Sequence, residues 1–124
     1  MMPVANVFNI LALVSVAITA MLHWYGVEMS LYWTTPWWDV LAHFFGGLTV
    51  GAWAVAVAIK MHLSPRTAAW WIFGLILVVG VSWEIWEAVE GLGGGSLDTL
   101  KDIADDVLGT IAAWLIYKLL YKRS

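Results

Sequence analysis

Three pairs of ionisable residues stand at helical spacing in an otherwise apolar chain. Asp39 and His43 are four apart, Glu84 and Glu87 three apart, and Asp102 and Asp106 four apart. Residues three or four apart share one face of a helix, so each pair projects as a unit. Carboxylates grouped with an imidazole form a ligand set for divalent cations. The oxygens favour Mg, Mn or Ca, and the single nitrogen leaves Zn or Fe open. Similar pairs on facing helices build the metal sites of soluble four-helix carboxylate proteins. Such chemistry requires elements that bring the three pairs together inside a low-dielectric interior.

Those elements are expected to be membrane helices. The chain has 124 residues, 62% hydrophobic and 12% charged, with a mean hydropathy of +0.82, far from the profile of a soluble domain. Its length suits one domain, here residues 1–124. A spanning helix needs about 20 mainly apolar residues, and four stretches qualify: 4–22, 40–59, 67–87 and 97–121. The first lacks a basic leader and a convincing cleavage site, so it is read as a retained helix. Pro36 and Pro65 lie just before helix starts, where a missing N–H is tolerated. The expected fold class is all-α, a polytopic four-transmembrane-helix bundle. With no cysteine in the chain, a disulfide framework and a thiolate metal site are both excluded.

Charge fixes the expected orientation. Lys60, Arg66, Lys118, Lys122 and Arg123 fall on one side of a four-span arrangement, and only Lys101 falls on the other. The positive-inside rule then puts the 60–66 loop and both termini in the cytoplasm. Trp24, Trp33, Trp37, Trp38, Trp83 and Trp86 would line the outer interface and Trp70 and Trp71 the inner one, as anchors. A prokaryotic inner membrane is the expected location.

All nine acidic residues lie toward the outer ends, and some must lie within the spans. The uninterrupted apolar part of the last stretch, 107–117, covers only about 16 Å, roughly half the hydrocarbon thickness. Asp102 and Asp106 therefore fall about one and two turns below the outer boundary. Ionisable residues at such depth are costly unless they face protein or water, which makes function the default expectation for them. Gly46 extends the Asp39/His43 face, Gly80 the Glu84/Glu87 face and Gly109 the Asp102/Asp106 face. Gly47 adjoins them, and small residues mark close helix approach in bilayers. Three acidic faces are thus expected to converge. Five or six carboxylates around one imidazole need compensating cations or protonation. The single outer cation, Lys101, is expected to pair with Asp105, four positions on, leaving a divalent metal (Mg, Mn, Ca or Zn) as the compensating charge.

Other polar residues have plainer readings. Asp98 suits a helix N-cap, Glu28 and Glu90 solvated loops, and His62 a cytoplasmic surface. His23 ends a Ser15/Thr19/His23 stripe that either caps the site or sits at the interface. The glycines at 93–95 do not suit a phosphate loop, since no strand precedes them.

Three runs carry a resemblance: residues 38–47 (WDVLAHFFGG), 83–87 (WEIWE) and 98–109 (DTLKDIADDVLG). Together they resemble the YjdF-like group of small bacterial inner-membrane proteins. More distantly they are similar to the VanZ-like family associated with teicoplanin resistance. The likeness covers roughly residues 37–113 and implies functional weight for Asp39, His43, Gly47, Glu84, Glu87, Asp102, Asp106 and Gly109. VanZ-like members usually carry Gln at the position of Glu87 and an Arg before the Asp-rich helix, which this chain lacks; related proteins often have Asn at the position of Asp106. The resemblance implies a fold and a polar site rather than a particular reaction.

The leading expectation is a carboxylate–histidine site for a divalent cation, open to the outer face and acting on a lipid or cell-envelope head group. Two alternatives stand beside it. One is a scaffold or accessory subunit in which the cluster only fixes packing. The other is a cation or proton transporter, although no ionisable residue continues the path inward before Lys60 or Lys118. Expected partners are the lipid bilayer and a second copy or another membrane protein, with no nucleic acid.

Overall fold

The structure is a computed structural model that describes residues 1–121. Lys122, Arg123 and Ser124 lie outside the described residues. Five helices follow in order: α1 Val4–Glu28, α2 Leu31–Thr34, α3 Pro36–Lys60, α4 Pro65–Val89 and α5 Ser96–Tyr121. Local chemistry sets several of these ends. Pro36 and Pro65 open α3 and α4 from the first helical turn. The Ser64 hydroxyl caps α4 by accepting from the Thr67 N–H at 3.3 Å. At the other end of α4, Gly91 takes φ 73°, its N–H reaches the Ala88 carbonyl, and Leu92 N–H reaches that of Glu87. That paired closure is a Schellman stop, which a residue free to adopt positive φ makes possible.

α1, α3 and α4 are each long and apolar enough to cross a membrane. α5 is one residue longer, but Asp98, Lys101, Asp102, Asp105 and Asp106 crowd its first half. The region expected to be a plain connector between the first two spans is mostly helical: α1 runs on to Glu28, and α2 fills part of the remainder. Asp98 is not the N-cap that the sequence led one to expect; it lies inside the first turn of α5, where its charge still complements the helix dipole.

α3 is the central helix. Its chief neighbours are α1 and α5, and α4 packs against both α3 and α5. The apolar core contains Phe8, Ala52, Val55, Ile72, Ala113 and Tyr117. Outward faces carry exposed apolar residues such as Leu13, Val14, Val78, Leu108 and Leu115, which in lipid meet hydrocarbon rather than water. Phe8 near the start of α1 meets Tyr117 near the end of α5 edge-on. Trp71 donates to the Ala54 carbonyl at 2.9 Å, and Trp38 donates to the Leu22 carbonyl at 2.9 Å. These two tryptophans therefore tie helices together instead of serving only as interface anchors. The chain's start, the α3–α4 turn and the last turn of α5 share one end of the bundle. The acidic pairs occupy the other.

Candidate functional site

The site depends on how closely α3 and α5 cross. A Cβ added at Gly47 would overlap the Asp106 main-chain carbonyl, and one at Gly109 would overlap the Phe44 carbonyl. A Cβ at Gly51 would lie 2.9 Å from the Thr110 Cα. With the backbones in contact, the Thr110 hydroxyl donates to the Gly47 carbonyl at 2.9 Å. Close approach through small residues is how helices associate where no hydrophobic effect drives them together. Gly51, four residues after Gly47, belongs to this contact and completes a Gly-x-x-x-Gly pattern. Gly46 points elsewhere: its nearest neighbour is the Thr19 side chain of α1 at 4.0 Å. Gly80 faces the Asp106 carboxylate, whose Oδ2 would be 2.9 Å from an added Cβ.

This crossing sets His43 against three aspartates. Its Nδ1 lies 2.9 Å from Asp106 Oδ1. Its Nε2 lies 3.5 Å from Asp39 Oδ1 and 3.4 Å from Asp102 Oδ2. Asp102 and Asp106 are buried, and the His43 side chain is 10% exposed. With Nδ1–H donated to Asp106, the neutral ring turns its Nε2 lone pair toward two carboxylate oxygens. Lone pair and anions repel, so either a proton, carried by the ring or by one of the carboxyl groups, or a cation belongs between them. A charge-assisted N–H···O bond is normally about 2.7–2.9 Å, shorter than both Nε2 distances. Two ligand atoms about 3.4 Å apart instead match an edge of a tetrahedral site with bonds near 2.1 Å. They match equally an octahedral site with bonds near 2.4 Å.

The ligand atoms of Asp39, His43 and Asp102 all lie within 4.8 Å of one another. Were a cation held there, Asp106 would be the carboxylate that orients the ligating imidazole from behind.

Lys101 does more than the sequence suggested. Besides the expected Asp105 contact at 3.0 Å, its Nζ reaches Asp39 Oδ2 at 3.2 Å and Asp102 Oδ1 at 3.2 Å. The expectation that Lys101 would be taken up by Asp105 alone therefore needs correction. One ammonium partly neutralises three carboxylates, because the α3–α5 crossing brings Asp39 within its reach. Its side chain is 42% exposed and approaches the cluster from the rim.

Glu84 and Glu87 do not join the His43 group. With Asp102 they form a second group whose ligand atoms lie within 4.8 Å of one another. Glu87 Oε1 accepts from the Trp83 indole N–H at 2.8 Å. Glu84 is buried, and its Oε1 has no hydrogen-bond partner among the described residues. Glu84 also lines a cleft of about 640 Å³ between the end of α4 and the start of α5, walled by Ala88, Ser96 and Thr99. Of the six residues expected in one site, five thus divide into two groups that share Asp102, and the sixth, Asp106, contacts His43.

His23 lies in neither group. Its Nδ1 shares a 3.1 Å hydrogen bond with the Tyr32 hydroxyl, and its ring meets Trp83 edge-on. Tyr32, in the short α2, had no sequence signal. Burial, and then the charges of Asp39 and Glu87, push its phenol up to about 12, so it stays protonated at the rim of the acidic end. His62 is exposed at the far end, where a φ of 52° turns the chain toward α4.

No curated protein and no solved structure matches this chain. Residues 4–123 match the family described as "Predicted membrane protein (DUF2238)", of which the YjdF-like proteins are members. The apolar helices and the match over nearly the whole chain agree, and the protein belongs to this DUF2238 family of predicted membrane proteins.

Proposed function

We propose that this chain is a multi-pass protein of the prokaryotic inner membrane, with four spans and both termini cytoplasmic, that holds a divalent cation in its outer half. Asp39, His43 and Asp102 are the ligands. Asp106 orients the imidazole, and Lys101 restrains the outer oxygens of Asp39 and Asp102. The single observation that carries this reading is the His43 environment, in which Nδ1 is held by Asp106 while Nε2 faces Asp39 and Asp102 at distances longer than hydrogen bonds. A nitrogen in the ligand set favours Zn over Mg or Ca. The site lies near the outer interface, and its use is on a lipid or cell-envelope head group, where a bound cation polarises an ester and activates water.

A second reading is favoured by Lys101: the cluster is a structural ion network belonging to a scaffold or accessory subunit, with His43 doubly protonated. Melting the purified protein in detergent with and without Mg, Mn, Ca and Zn separates the two. A cation bound at 100 times its dissociation constant stabilises the native form by about 2.7 kcal/mol. His43→Ala and Asp102→Asn should each remove most of that gain, and Glu90→Gln should not. Protons compete with the metal for its ligands, so the gain should shrink as pH falls. A protein that carries no metal and ignores all four ions has a structural network.

A further inference from the structure

We infer that the centre is dinuclear: a second, oxygen-preferring divalent cation is bound by Glu84 and Glu87, with Asp102 as the carboxylate bridging it to the ion at His43. This rests on the reading above and deepens it. The two candidate ligand groups are separate except for Asp102, which belongs to both. An acidic group alone would carry little, since carboxylates often gather without an ion.

Glu84 supplies the independent observation. It is 7% exposed, and although the Thr99 side chain meets its carboxyl group, its Oε1 lies buried with no hydrogen-bond partner among the described residues. A buried acceptor left unmade costs as much as a lost hydrogen bond, more if it is ionised. Every other buried carboxylate of the cluster has an ammonium or imidazole contact: Asp102 has both, Asp105 touches Lys101, and Asp106 touches His43.

Charge points the same way. Asp39, Glu84, Glu87, Asp102, Asp105 and Asp106 are six carboxylates. Against them stand Lys101 and, when His43 ligates as a neutral ring, one dication. Three negative charges are then uncovered in a largely buried space. A second dication leaves one, and Glu87 is half-buried at the rim, where water can screen it. The two positions differ in chemistry. The first offers a nitrogen and two carboxylates, the second oxygens only, which selects a hard cation such as Mg, Mn or Ca. The cleft beside Glu84 gives that cation a route from the outer face and leaves room for water in its shell. Paired metal ions about 3.5–4 Å apart are the arrangement that clamps a phosphoryl group, so a phosphate-bearing head group is the substrate class this centre would suit.

The test is to load the full-length protein in detergent with Mn. Bound ions per chain are counted by equilibrium dialysis with elemental analysis, and electron paramagnetic resonance spectra are recorded. Two Mn per chain with an exchange-coupled spectrum are expected. Glu84→Gln should leave one uncoupled Mn. Glu87→Gln provides a second variant, and the remaining ion in either shows that the fold survives. One uncoupled Mn in the parent chain, unchanged by Glu84→Gln, overturns the second site and leaves the first standing. No bound Mn, Zn, Mg or Ca overturns both.

Discussion

His43 is held at both ring nitrogens, and the two contacts do different work. Asp106 at 2.9 Å is a hydrogen-bond partner; Asp39 and Asp102, at 3.5 and 3.4 Å, face Nε2 from the other side. If Asp106 positions the ring and the others ligate, its variants should behave differently from theirs. Asp106→Ala should weaken metal binding by about 10–100-fold, measured by competition with a chromophoric chelator. Asp106→Asn keeps an acceptor for Nδ1–H and should lose less. Equal losses for both variants and for Asp102→Asn would mean that Asp106 ligates directly.

Lys101 belongs at the same scale. Lys101→Met strips one counter-charge from Asp39, Asp102 and Asp105 together. Removing one partner of a buried pair costs about 3–5 kcal/mol, and the 42% exposure of this side chain should bring the loss below that range. The drop in Tm should be larger without metal than with it. Of these features, the i,i+4 pairs and the Lys101–Asp105 contact were legible in the sequence because they lie on single helices. The Lys101–Asp39 contact was not, since the two residues meet only through the packing of α5 against α3.

Helix packing turns on which glycine faces which neighbour. Gly46 and Gly47 are adjacent in sequence and project about 100° apart on a helix of 3.6 residues per turn. Three residues on from His43, Gly46 turns toward Thr19 on α1; four residues on, Gly47 meets the backbone of α5. Pattern matching at i+3 and i+4 admits both, so the sequence could not choose between them, although the Gly47-x-x-x-Gly51 spacing was there to be read. Gly74 supplies the control, with nothing within 4 Å of an added Cβ.

Gly47→Ala must push the α3 and α5 backbones apart, and overpacking typically costs about 1–3 kcal/mol. The same change at Gly74 should be neutral or should stabilise by up to about 1 kcal/mol, because Ala favours the helix over Gly. Because His43 reaches Asp102 and Asp106 across this crossing, Gly47→Ala should also weaken any metal-dependent rise in Tm. Parallel melts of the two variants, with and without metal, check both effects. Indistinguishable melts would mean that the close α3–α5 contact is absent.

Across the whole molecule, charge and hydropathy made the helices legible and left their ends imprecise. Apolar length located four long helices but missed the continuation of α1 to Glu28 and the short α2, because turn and helix are not distinguished by hydropathy in an aromatic-rich segment. The separation of Lys60 and Arg66 from the acidic ends is preserved along the bundle axis. Phe8 against Tyr117 places the start of α1 beside the end of α5 at the basic end. Which end faces the cytoplasm follows from the positive-inside rule alone, and the absence of cysteine makes the orientation testable with single introduced thiols. Cysteines at Ser64 and Ser124 should be protected from a membrane-impermeant maleimide in intact cells and should react after lysis. Those at Ser30 and Ser96 should react in intact cells. Ser30 and Ser96 are exposed at the acidic end and Ser64 at the basic end, so their substitution leaves the core untouched. The reverse pattern would turn the bundle over and put the His43 cluster at the cytoplasmic face. Labelling of Ser64 and Ser124 on opposite sides would mean that α5 does not span, and the cluster would then lie at the interface rather than within the bilayer.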